Sequence, residues 1–185
     1  MPNAAFSSAD EQTDFDLVAR WKGGDQRAAT LLVERHADAV ARFAASVGAR
    51  DDAGEVVQDT FVRAFGSLDG FRGESSFRTW LFTIARRLVL DQRRAVRRRG
   101  AQVEVKDDDV RTEFDALDGV VADETRDRML AALERLTPTQ REVFALRVGE
   151  GMGYREIAGV AGTTEGAARV HYHNAMRAIK EFLDD

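Results

Sequence analysis

Residues 154–183 read YREIAGVAGTTEGAARVHYHNAMRAIKEFL, and this stretch decides the fold. Tyr154, Ile157, Ala158 and Ala161 share one face of a short helix. Gly162-Thr163-Thr164 makes a tight turn. From Glu165 a longer helix follows, with Ala168, Tyr172, Ala175, Ile179 and Phe182 facing inward. A short helix, a glycine turn and a longer helix form a helix-turn-helix, and the small Ala158 lets the two helices cross closely. The second helix of such a motif lies in the major groove. Thr163, Thr164, Glu165, Arg169, Val170 and His173 are placed to reach DNA there. Arg169 can donate to guanine or phosphate, and Glu165 can accept from a cytosine amino group. Arg177 and Lys180 sit further along, toward phosphate. A plain two-helix bundle would show the same apolar spacing, and the outward threonine, arginine and histidine side chains separate the two readings. His171 and His173 lie two residues apart, on different faces, with no cysteine or third histidine nearby, so no metal site is expected.

Upstream, Thr137-Pro138-Thr139-Gln140 is a helix start. Thr137 caps, Pro138 takes the first helical position and Gln140 completes a capping box. That helix carries Val143, Phe144, Leu146 and Arg147 and stops at Gly149 to Gly153. A further helix runs from Asp123 to Leu136, burying Met129, Leu130, Leu133 and Leu136. Overlapping its start, Glu104 to Asp127 holds ten acids and three bases, a balance of −7. Residues 100–122 lack a repeating apolar pattern and read as a flexible linker.

The N-terminal half is also helical. Residues 1–12 read as disordered. A first helix fits Phe15 to Trp21 and stops at Gly23-Gly24. Asp25 caps a second that runs to about Val47, with Ala29, Leu32, Val33, His36, Val40 and Phe43 on one side. A third covers Asp52 to Phe65, with Val57, Phe61, Ala64 and Phe65 inward. After the polar loop 66–76, Ser76 caps a long helix from Phe77 to about Arg99, whose apolar face is Phe77, Leu81, Ile84, Ala85 and Leu88. From Arg78 to Arg99 there are eight arginines and one acid, a balance of +7. Phe71 stands out because it lies in the polar loop and is expected to be exposed; Trp80 is expected to be partly covered. Aromatic faces, hydroxyls and arginines at a loop and helix start suit an unstacked base. Arg86, Arg93 and Arg97 then form a stripe that suits a DNA backbone. A solvated helix end with cations at its C-terminus is the plainer account of such a run. Eight arginines without interleaved lysine–glutamate pairs favour nucleic acid.

Composition narrows the classes. The chain has 185 residues, 32% charged and 44% hydrophobic, with a net charge of −5 and no cysteine. It is expected to be globular and all-α, since no run alternates with period two. The sum of charges argues against nucleic acid, and their segregation argues for it. A disulfide scaffold is excluded, and a cytoplasmic location fits. No signal peptide or membrane span is read. The histidines are dispersed, and no phosphate loop, nucleophile elbow or zinc-protease motif occurs, so an enzyme is not expected. A stand-alone helix-turn-helix regulator remains as an alternative, although it would not need the Phe71 loop or the arginine helix.

Taken together, these segments resemble bacterial extracytoplasmic-function sigma factors. The resemblance spans about residues 14–183. It is carried by Asp25-Gln26-Arg27-Ala28-Ala29, by Glu55-Val56-Val57-Gln58-Asp59-Thr60-Phe61 and by Phe71-Arg72-Gly73-Glu74-Ser75-Ser76-Phe77-Arg78-Thr79-Trp80-Leu81. Leu136-Thr137-Pro138-Thr139-Gln140-Arg141-Glu142-Val143-Phe144 and Tyr154-Arg155-Glu156-Ile157-Ala158 complete it. It implies region 2 over residues 13–99 and region 4 over residues 123–185. By resemblance, Glu55, Gln58, Asp59 and Arg63 face the clamp coiled coil of core RNA polymerase, and the polymerase flap is a further partner. Phe71, Arg72, Glu74, Ser75, Ser76, Arg78, Trp80, Arg86, Arg93 and Arg97 would hold the −10 element. Thr163, Thr164, Glu165, Arg169, Val170, His173 and Arg177 would read the −35 element. The acidic linker would follow the basic channel near the polymerase active site, and an anti-sigma factor would hold the protein inactive. No cofactor or metal is implied. Gly54 stands where many members carry an acid, and Val170 and His171 replace a usual Ser and Arg, which leaves base preference at −35 open. With no domain after Asp185, an appended sensor is not expected.

Overall fold

The computed structural model describes residues 7–49, 51–100 and 123–184. Among the described residues eight helices follow one another: α1 (Ser7–Lys22), α2 (Gln26–Ser46), α3 (Ala53–Gly66), α4 (Phe77–Gly100), α5 (Asp123–Glu134), α6 (Pro138–Phe144), α7 (Tyr154–Ala161) and α8 (Glu165–Asp184). A 3-10 turn, Leu68–Gly70, follows α3, and a π turn, Ala145–Gly149, extends α6. No strand occurs among the described residues. The stretch expected as a linker lies outside them, apart from Gly100 at the end of α4.

Three sequence expectations need correction. The first helix begins at Ser7 rather than Phe15, because residues 7–14 contain no glycine or proline to stop it. On α3 the buried residues are Val56, Thr60, Phe61 and Ala64, so the apolar stripe is rotated by one position and Val57 is only half-buried. Met129 and Leu130 on α5 are also half-buried; Ala132, Leu133 and Leu136 carry the packing instead.

The helix starts follow local chemistry. The Asp25 carboxylate accepts from the Arg27 N–H at 3.0 Å and also binds Arg20, which holds its carboxyl below the ordinary range. Ser76 Oγ accepts from the Thr79 N–H at 3.1 Å at the head of α4. At α6 the Gln140 N–H donates to Thr137 Oγ1 at 3.3 Å, and the Thr137 N–H donates to Gln140 Oε1 at 3.0 Å. Thr137→Ala removes half of this box. We expect a loss of about 1 kcal/mol of stability in urea melts; an unchanged midpoint would mean that the tertiary contacts alone hold α6.

Helices α1 to α4 wrap around Leu32, Val40, Phe43, Phe77, Leu81 and Phe82. Helices α5, α6 and α8 close a smaller core around Leu133, Leu136, Phe144, Ala175 and Ile179. The two halves are not separate bodies. Val143, Leu146, Met152, Ile157 and Val160 from the second half join the core of the first, with α7 lying against α4.

Candidate nucleic-acid interface

The loop before α4 is shaped by a close approach. Gly73 has φ +73°, a left-handed conformation that favours glycine, and a Cβ there would come within 2.9 Å of the Phe15 ring. Beside this turn, Phe71 lies in the core. It stacks near Phe15 at 5.8 Å, meets Phe77 edge-on at 5.6 Å and Trp80 at 5.2 Å. At 7% exposure, Phe71 is a core residue, which corrects the expectation of an exposed ring. In this arrangement it has no free face for a base. Trp80 is half-buried, Ser75 and Ser76 are half-buried, and Arg72 and Glu74 are exposed. Trp80, on the first turn of α4, packs on Phe71 and Phe77 and keeps part of its ring exposed.

The arginines of α4 divide. Arg97 is exposed. The half-buried Arg93 donates to the Val47 carbonyl at 3.3 Å. Arg78 and Arg86, expected to meet DNA, instead meet acids from the second half of the chain. Arg78 binds the Glu150 carboxylate and donates to the Glu150 carbonyl at 2.9 Å. Arg42 from α2 donates to the same carboxylate at 3.3 Å. Arg86 binds Glu142, and the Thr79 hydroxyl donates to Glu156 Oε1 at 3.1 Å. Burial pushes the Glu142 carboxyl up, and Arg86 only partly opposes this. A cavity of about 140 Å³ remains at the seam, lined in part by Arg86, Arg93, Arg141 and Glu142.

The helix-turn-helix forms as read. Gly162 ends α7 at φ +65°, a left-handed turn that suits glycine, and Thr164 Oγ1 accepts from the Ala167 N–H at 3.1 Å. Ala168, Ala175 and Ile179 are buried. The opposite side of α8 presents Thr164, Glu165, Arg169, Val170, His173 and Arg177 to solvent, with Thr163 half-buried at the turn. Arg169 pairs with Glu165 at 3.1 Å and lies over the Tyr154 ring, and Arg177 donates to Asn174 at 3.2 Å. On α3, Glu55, Gln58, Val62 and Arg63 are exposed, and Asp59 is half-buried.

Comparison with known proteins identifies the family. Residues 32–99 match the family model of Sigma-70 region 2, and residues 126–179 match that of Sigma-70 region 4. The chain is 31% identical to the ECF RNA polymerase sigma-E factor of Escherichia coli strain K12 over 182 residues, covering 92% of this chain and 94% of the relative. It is 30% identical to the protein of that name in Haemophilus influenzae, over 93% and 96% of the two chains. This chain belongs to the extracytoplasmic-function sigma factors. Among solved structures, CnrH in complex with the cytosolic domain of CnrY matches with a TM-score of 0.67 and 32% identity, covering 93% of this chain and 97% of that one. The sigma factor RpoE in complex with the anti-sigma factor NepR from Bartonella quintana matches at 0.69 and 26%, over 84% and 96%. A stand-alone regulator is not favoured, because the similarity runs through the N-terminal half as well.

Within this sigma factor, the sequence reading missed Arg42, Thr79, Glu142, Glu150 and Glu156. One signal was available. Glu142 precedes Leu146 by four residues and so shares the apolar face of its helix, where an acid needs a partner. The identity of that partner lies 56 residues away in sequence, and no local pattern names it.

Proposed function

We propose that this sigma factor directs core RNA polymerase to specific promoters, reading the −35 element through α8 and opening the −10 element with region 2. The face of α8 carries the reading. Its outward side joins two cations, an acid, a hydroxyl and the exposed Val170, a set that can contact guanine, cytosine and a thymine methyl in the major groove. The outer face of α3 is the proposed contact with the clamp coiled coil. Val62, 64% exposed, gives that face an apolar centre ringed by Glu55, Gln58, Asp59 and Arg63. In region 2, Ser75, Ser76 and Trp80 would hold a base of the −10 element, and Arg72, Arg93 and Arg97 its backbone. The protein would act in the cytoplasm without covalent chemistry of its own. No helix among the described residues is long and apolar enough to cross a membrane. An anti-sigma partner is proposed from the two relatives whose structures contain one partner each.

Co-elution with core polymerase and run-off transcription on genomic fragments test the proposal; failure of both ends it. Trp80→Ala refines it. Docking on a promoter should be retained, while strand opening, followed by permanganate reactivity, falls by about tenfold, the weight of one base stack. Unchanged opening would reduce α4 to a backbone clamp.

A further inference from the structure

We propose that the cavity between α4 and α6 is a binding site for a phosphoryl oxyanion, held by Arg86, Arg93 and Arg141. The ligand class is free phosphate, pyrophosphate or the phosphate end of a nucleotide. Promoter reading does not call for such a site, so the inference goes beyond that role and does not rest on it.

Three observations carry it. First, the charge around the cavity is unbalanced. Arg86, Arg93 and Arg141 line it against a single acid, Glu142. Burial pushes the Glu142 carboxyl up, toward its neutral form, and this widens the imbalance. Burial lowers the pKa of Arg141 as well; Glu134 opposes this, and the like charge of Arg93 adds to it. The two guanidiniums are thus close enough to repel each other, and cations gathered in a part-buried space call for an anion. Second, the arginines keep unused donors. A guanidinium has five N–H groups. Arg93 donates through Nη1 to the Val47 carbonyl at 3.3 Å, and Arg86 through Nε to Glu142. Arg141 ties its Nε and Nη2 to the carbonyls of Leu133 and Glu134 at 3.1 and 2.9 Å. Both Nη groups of Arg86, and the Nε and Nη2 of Arg93, have no hydrogen-bond partner among the described residues. Guanidinium forks of this kind match phosphoryl oxygens through parallel N–H···O bonds. Third, the size fits. The cavity of about 140 Å³ equals the liquid share of about four or five waters, room for a phosphoryl group. It is well below the roughly 300 Å³ at which pockets enclose a drug-sized ligand, so a nucleotide would insert its phosphates alone.

An oxyanion held there bridges α4 to α6 and strengthens the join between the two halves of the chain. On the sigma-factor reading it also draws Arg93 away from the promoter backbone, so the ligand and the −10 element compete for that side chain.

Calorimetric titration of the free full-length protein with sodium pyrophosphate tests the site, with ionic strength fixed by sodium chloride. Polymerase and DNA are absent, so the result stands apart from the co-elution test of the sigma-factor reading. Saturable binding at one site per chain is expected, and the thermal midpoint should rise with ligand concentration. Parallel titrations with inorganic phosphate and with GDP separate the sources. Tighter binding of GDP assigns the site to the phosphate end of a nucleotide, and tighter binding of either inorganic anion assigns it to the free ion. R93Q and R141Q should each weaken binding on the order of tenfold, the weight of one charge-assisted contact. E142Q should tighten it several-fold by removing the opposing carboxylate. A variant that misfolds can only lose affinity, so the gain in E142Q is the deciding sign. Absence of saturable binding for all three anions would overturn the proposal. So would an affinity that the arginine variants leave unchanged or that E142Q fails to raise, since the protein would then hold an adventitious ion only.

Discussion

Phe77→Ala should cost about 3–5 kcal/mol of stability, the range for emptying a buried aromatic site. Against a total of roughly 5–15 kcal/mol for a folded domain, that is enough to leave region 2 partly unfolded at growth temperature. Phe77 is 1% exposed and opens α4. Its ring meets Phe71 and Trp80 at 5.6 and 5.8 Å and the His36 ring at 5.8 Å, so it joins the loop, α2 and α4 at one point. Its loss should loosen the loop and the start of α4 together. Denaturant melts read the stability, and a loss below about 1 kcal/mol would show that the aromatic cluster can collapse around the cavity. Phe71 supplies the contrast. Phe71→Leu keeps an apolar side chain of similar reach, so transcription should survive it; a ring that stacks on a base would not tolerate the change.

Asp14→Ala should cost about 3 kcal/mol, toward the lower end for breaking a buried charged pair, since Arg35 is a third exposed. The Asp14 carboxylate accepts from Arg35 at 2.5 Å and pairs with His36 Nε2 at 2.8 Å, pinning α1 to α2. Burial alone would raise its pKa, but the hydrogen bonds and charges of His36 and Arg35 outweigh burial and hold the carboxyl below its ordinary 3.8. The sign of the pH dependence follows. A carboxyl depressed in the folded state binds protons more readily when unfolded. Its contribution is complete above pH 3.8 and is lost as pH falls through the folded value. Urea melts at neutral pH and stepwise below pH 3.8 should show the unmutated protein losing stability more steeply than the variant. Parallel curves would mean that the pair carries no net coupling.

Much of region 4 was legible because its signals are local. Thr137, Pro138 and Gln140 act on backbone groups within one turn, and Gly162 meets the left-handed geometry that its turn requires. The inward spacing of Ala168, Ala175 and Ile179 left the DNA-facing residues on the other side of α8. The same held for the face of α4 and for the cap at Asp25. Periodicity misplaced the stripe of α3 by one residue, because Val56 and Val57 are adjacent and equally apolar, and only the packing partner chooses between them.

Phe71 shows where such reasoning ends. Its neighbours in sequence are polar, and a polar loop reads as exposed. Its ring instead packs against Phe15, 56 residues earlier, and against Phe77 and Trp80. The seam is the second case. The charge runs announced arginines in want of anions, and DNA is the natural partner for them. Glu142 and Glu150 meet Arg86 and Arg78 across 56 and 72 residues, distances over which no local pattern operates. Helix type, caps, the helix-turn-helix and the family were properties of the sequence by itself, because each rests on interactions within a turn or two of the chain. Which arginines are free for DNA was decided by the tertiary structure, since ion pairing depends on what the fold brings within 4 Å and not on what lies beside it in the chain.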